Sequence, residues 1–223
     1  MKFDVSLHKD FLLVAMLPLL FIAVRLYDIS LFDGLQVQYI ETFQAVWLLF
    51  CSVFTLVYMR PSLLSRPQLL FWVWAALWWF LLFGRSISWG RDYFPDEPRW
   101  IFRLLSILWI SPVFIMLFFR DLRDEIKSKL SGVAFPITYF SLALVCFLIS
   151  DTIEHKRVMA IFFLNDPAYQ DLVEELYEVP FMFALLLTAL YFMKIDRQRS
   201  AEPCITHGGG LPIPPNTSAK NAG

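Results

Sequence analysis

The sequence predicts an all-α fold: a polytopic membrane helix bundle with about six transmembrane helices. Three observations predict it. The chain of 223 residues is 58% hydrophobic and only 17% charged, whereas a soluble domain carries roughly a quarter charged residues. It holds 23 Phe and 8 Trp, an aromatic load suited to lipid and its interfaces. Its apolar residues also fall in separate runs, several of them near the roughly 20 residues that a helix needs to cross a bilayer.

In chain order the expected spans are Phe11–Tyr27, Ile40–Met59, Leu69–Ser88, Ile101–Phe119, Val133–Thr152 and Glu174–Met193. The first follows Lys2 and Lys9, as a signal peptide would, but its apolar run ends in Arg25-Leu26-Tyr27-Asp28 without a small-x-small cleavage site. A retained helix is therefore expected. The third is uncharged from Leu69 to Gly84, and the last only from Val179 to Met193. Several runs are shorter than a span, so polar residues are drawn in at their ends. Val158–Leu164 is apolar but too short to cross and is expected at the interface, as a cap over the helix ends. Residues 1–195 form the expected bundle and 196–223 a disordered tail. Gly208 to Gly210, Pro212, Pro214 and Pro215 make the tail hard to fold.

Orientation follows the basic residues. The side holding both termini and the second and fourth loops carries Lys2, Lys9, Arg60, Arg66, Arg120, Arg123, Lys127, Lys129, Lys194, Arg197, Arg199 and Lys220. The other side carries Arg25, Arg85, Arg91, Arg99, Arg103, Lys156 and Arg157. The positive-inside rule makes the first side, with both termini, cytoplasmic. A net charge of −1 leaves no electrostatic footprint for nucleic acid. The expected partners are the lipid bilayer and either another membrane protein or further copies of the chain.

Ionisable residues gather at the opposite, outer ends. Counting a full span back from Met193 brings Glu174, Glu175 and Glu178 to or below the surface. Glu178 then lies one turn, roughly 6 Å, deeper than Glu174. Asp171, Glu174 or Glu175, and Glu178 share a helix face, and like charges so close call for a cation among them. Arg85 falls just inside the end of the third helix. Arg85, Ser88, Trp89 and Asp92 line one face there, with Arg91 beside them. The fifth helix ends with Asp151 and His155 four residues apart, and the second begins with Glu41 and Gln44. The expected centre is an ion pair from Arg85 to Glu174, Glu175 or Glu178, with Asp151, His155 and Glu41 around it. The cytoplasmic ends show only loop charges.

Asp151, His155, Glu174 and Glu178 are the candidates for acid–base catalysis. The same four offer one nitrogen and several oxygens to a possible divalent metal. The paired Glu-x-x-His motifs of a diiron bundle are absent. Arg85, Ser88, Arg91, Glu41 and Glu175 are the candidate binding residues, with the arginines suited to an anionic group such as phosphate. Ser88 lacks the elbow motif and histidine partner of a serine nucleophile. Cys51, Cys146 and Cys204 are too scattered for a disulfide framework or a zinc ribbon, and the first two read as buried hydrophobes.

Arg85-Ser86-Ile87-Ser88-Trp89-Gly90, after an aromatic-rich helix, and Glu174-Glu175-Leu176-Tyr177-Glu178, preceded by Ser150-Asp151, resemble motifs of a loose group of uncharacterised bacterial multi-pass inner membrane proteins. The likeness spans Leu69 to Met193. In that group the first motif reads Arg-Glu-x-x-Trp or Arg-Glu-x-x-His, and Ser86 stands here in the place of the Glu. The resemblance implies a bacterial inner membrane and little about activity. Two functional classes follow from the residues: a site for a lipid headgroup or metal ion at the outer face, or a non-enzymatic scaffold or subunit held by a structural ion network. Proton-coupled transport is a third, weaker class.

Overall fold

A computed structural model describes residues 3–4, 9–26, 35–60, 62, 64–91, 94, 96–164 and 169–201. The tail from residue 202, Asp92, His8 and Cys204 lie outside them. The described residues form seven α-helices: α1 Lys9–Leu26, α2 Leu35–Met59, α3 Arg66–Ser86, α4 Arg99–Met116, α5 Arg120–Gly132, α6 Ile137–Glu154 and α7 Gln170–Ala201. A minimal parallel pair, Phe3–Asp4 with Phe135–Pro136, fastens the start of the chain beside α6.

Five helices are long and apolar enough to cross a membrane: Val37–Met59 of α2, α3, α4, α6, and Gln170–Arg199 of α7. The first expected span is not among these five. The apolar run of α1 between Asp10 and Arg25 has 14 residues, about 21 Å of helix against a hydrocarbon core of about 30 Å.

Helical periodicity explains the packing. In α2 the buried positions are Gln44, Ala45, Leu48, Cys51, Ser52, Thr55 and Met59, a stripe of three- and four-residue steps. In α6 they are Tyr139, Ala143, Cys146, Ser150 and Ile153. The opposite faces stay apolar: Phe43, Val46, Phe50, Val53 and Val57 point outward from α2, and Leu144, Val145 and Leu148 from α6. A bundle that buries one apolar face and exposes another is compatible with a membrane protein.

The helices pack with α7 against α1, α2 and α6, and α3 against α2, α4 and α5. Leu48, Cys51, Trp79, Met182 and Leu186 fill the seam of α2, α3 and α7. Backbone carbonyls accept side-chain hydrogen bonds across helices: Ser52 Oγ donates to Ala76 O at 2.9 Å, Trp109 Nε1 to Phe80 O at 2.9 Å, and Trp74 Nε1 to Val113 O at 3.0 Å. Cys51 and Cys146 are buried free thiols.

One end differs from expectation. The segment after α4 is the amphipathic helix α5, with Leu122 and Lys129 buried on the face turned to α3. Lys129 Nζ pairs with Asp196 and lies 3.2 Å from Glu125. Asp196 Oδ2 also accepts Trp72 Nε1–H at 2.7 Å, and the ammonium sits 4.6 Å from the Phe71 ring centre. This is a buried ion cluster where only loop charges were expected. α7 runs through Asp196 to Ala201, past the boundary expected at residue 195. A helical Asp196 is what meets Lys129.

Candidate functional site

The starts of α2 and α7 and the ends of α3 and α6 meet at the other end of the bundle, around Arg85. They enclose a cavity of about 240 Å³. Its walls carry Glu41 and Gln44 from α2, Arg85 and Ser86 from α3, Ser88 from the following turn, Glu154 from α6, and Glu174, Glu175 and Glu178 from α7. Leu48, Leu82, Phe181 and Met182 line its apolar part. Five carboxyl groups thus face one guanidinium above the hydrophobic seam.

Local structure explains the positions. Glu174 and Glu178 are one turn apart on α7, and Glu175 lies on the adjoining edge. Gln44 donates its Nε2–H to Glu175 O at 3.1 Å, joining α2 to α7. Ser150, buried on α6, lies close enough to the Glu178 carboxyl group to favour its charged form. One oxygen of Glu175, Oε2, is buried and has no hydrogen-bond partner.

Arg85 projects from the last turn of α3. A Cβ at Gly84 would come within 2.8 Å of Trp89 Cζ3 and 3.1 Å of Trp109, so only glycine lets these rings close on the helix. After α3 the chain turns through Ser88, Trp89 and Gly90 with φ of 49°, 58° and 88°. Left-handed backbone is costly for Ser and Trp. It brings Ser88 back to the cavity wall.

The expected ion pair has a different partner. Arg85 Nη2 lies 3.8 Å from Glu154 Oε2, while Glu174 and Glu178 feel the guanidinium electrostatically without forming a pair within 4.0 Å. Glu154 is the last residue of α6, and the long arginine side chain reaches it there. The sequence places Glu154 beside Asp151 and His155 but gives no sign that it, rather than a glutamate of α7, meets Arg85.

The proposed metal set is divided. Glu174 and Glu178 line the cavity; Asp151 and His155 do not. Asp151 Oδ2 binds Arg157 Nη1 at 2.7 Å, and Asp151 Oδ1 lies 3.4 Å from His155 Nδ1. Asp151, Glu154 and His155 bring donor atoms within 4.8 Å of one another, but a cation there would compete with Arg157. Arg91 sits on the far side of Ser88, in a neighbouring groove. Val158–Phe162 forms a 3-10 turn against α6 with Met159, Ile161 and Phe162 exposed; it is beside the cavity and not part of its lining. The cavity therefore gathers Arg85, Glu41, Glu174, Glu175, Glu178 and Ser88, and leaves out Asp151, His155 and Arg91.

Compared with known proteins, the chain matches no protein-family model, no curated protein and no solved structure. Function has to be argued from the cavity itself.

Proposed function

We propose that the chain is a multi-pass protein of the bacterial inner membrane with six spans and both termini cytoplasmic, and that the Arg85-end cavity binds the amine-bearing headgroup of a membrane lipid at the outer face. The basic-residue bias and the motif resemblance support the placement. α1 supplies the sixth span: it packs on α6 and α7 and turns Leu12, Leu13, Met16, Leu19 and Leu20 outward.

One observation carries the binding reading. Five carboxyl groups and a single arginine share one cavity, and a buried glutamate oxygen in it has no partner. Carboxyl groups gathered at membrane depth are costly to ionise, and a cation among them favours their charged forms. The apolar lining and a volume several times the roughly 30 Å³ of one water favour an alkylammonium over a bare metal ion. Lipid co-purified in mild detergent and counted by native mass spectrometry tests this. An aminolipid retained by the wild type and lost from Glu174→Gln/Glu178→Gln supports it; equal retention refutes it. Elemental analysis of the same samples separates the metal reading, which requires a stoichiometric ion lost from the double variant.

A structural reading has its own support: Gln44 hydrogen-bonds Glu175 O and ties α2 to α7. It makes the same substitutions lower stability and leave lipid binding unchanged.

A further inference from the structure

Beside the acidic cavity lies a larger groove, about 730 Å³, whose charge has the opposite sign. Among the described residues, Arg85, Arg91, Arg99 and Arg103 line it and no carboxylate does. Arg85 and Ser88 belong to both spaces and stand at their boundary.

The arginines of α4 defy local helix rules. Arg99 is the first residue of α4 and Arg103 lies one turn on, so like charges share a face. Both sit at the positive end of the helix dipole, where carboxylates belong and cations are disfavoured. The first turn holds no acidic residue, and Pro98 at the N-cap makes no side-chain capping bond. Among the described residues, no carboxylate lies within ion-pair distance of Arg99 or Arg103. A bound anion answers all of these features together, with uncapped helix N–H groups and forked guanidinium groups as donors.

The surroundings indicate where the anion comes from. α4 packs chiefly against α3 and the Ser88 turn. Its outward face runs from the groove along Trp100, Leu104, Ile107 and Leu108, all exposed. An anion carrying acyl chains lays them on this face. We propose that the arginine groove holds the phosphate of a zwitterionic phospholipid whose ammonium group enters the adjoining carboxylate cavity. The substrate class is thus an aminoalkyl phosphodiester on an acyl-chain anchor. This rests on the amine-binding reading above, and it adds a second subsite that does not depend on the glutamates.

The test uses the full chain in mild detergent, stripped of lipid, and native mass spectrometry. The probes are dioctanoyl phosphatidylethanolamine, dioctanoyl phosphatidylglycerol (phosphate without amine) and sphingosine (amine without phosphate). Arg99→Gln/Arg103→Gln is expected to lose roughly tenfold or more in affinity for both phospholipids, as lost charge-assisted hydrogen bonds imply, and to bind sphingosine unchanged. Glu174→Gln/Glu175→Gln is expected to lose phosphatidylethanolamine and sphingosine and to keep phosphatidylglycerol. Unchanged phospholipid affinity in the arginine variant overturns the groove, even where the glutamate variant responds and the amine site stands. A silent glutamate variant beside a responsive arginine variant removes the amine site, and with it the zwitterionic ligand. Displacement of phospholipid by equimolar inorganic phosphate overturns the lipid source. The lipid-free arginine variant should melt no lower than wild type, because repulsion within α4 is relieved; a lower melting temperature makes the arginines structural and overturns the proposal.

Discussion

At the Lys129 end, Asp196 is 1% exposed and receives both an ammonium and an indole N–H. At the Arg85 end, five glutamates surround one guanidinium whose only ion pair within 4.0 Å among the described residues is at 3.8 Å, and a buried carboxyl oxygen there has no hydrogen-bond partner among them. Both clusters join helices distant in sequence. In the first, the Lys129 ammonium is held by two carboxylates, Glu125 and Asp196, and by the Phe71 ring, and Trp72 donates to Asp196. The second gathers five carboxyl groups about one arginine, next to a groove lined by four arginines. The excess of carboxyl groups at the Arg85 end is what a cationic ligand would offset in the function proposed above.

Breaking the closed cluster should have the largest effect. Asp196→Ala leaves the buried Lys129 ammonium with Glu125 alone and orphans the Trp72 indole N–H, and should cost about 3 kcal/mol. Unfolding in a denaturing detergent titration measures it. Lys129→Met/Asp196→Leu removes both charges and should recover most of the loss. A smaller effect is expected at the turn that frames the open cluster. Gly84→Ala drives a methyl into Trp89 and Trp109 and should cost about 1–3 kcal/mol as an overpacked contact, visible as a lower melting temperature and altered tryptophan emission. Smallest is Arg66→Gln. Its pair with Asp121 at 3.4 Å is largely exposed and should contribute at most about 1 kcal/mol, so the denaturation midpoint should barely move.

The two ends were not equally legible in the sequence. The apolar runs located α2, α3, α4, α6 and α7 because a span needs length and hydrophobicity, both local properties. Glu41, Arg85, Glu174, Glu175 and Glu178 were legible as a group because each interrupts a membrane-length run at a similar depth. Glu154 was hidden as the partner of Arg85, because which of several carboxylates an arginine meets depends on how α6 sits beside α3. The Lys129 cluster was hidden for a related reason. Lys129 and Asp196 lie in stretches rich in other charges, and only the amphipathic spacing of Leu122 and Lys129 hinted that one lysine turns inward. Arg99 and Arg103 entered only as counts of positive charge, although their four-residue spacing at a helix start was a readable sign.

The central claim is that charge at the Arg85 end is kept open for a ligand and not for stability. The most direct measurement is the melting temperature of lipid-free wild type and Glu174→Gln/Glu178→Gln in the same detergent. Relief of repulsion among the carboxylates predicts a melting temperature equal to or above that of the wild type. A substantially lower one would show that these glutamates hold the helices together, as Asp196 does at the other end, and would contradict the account.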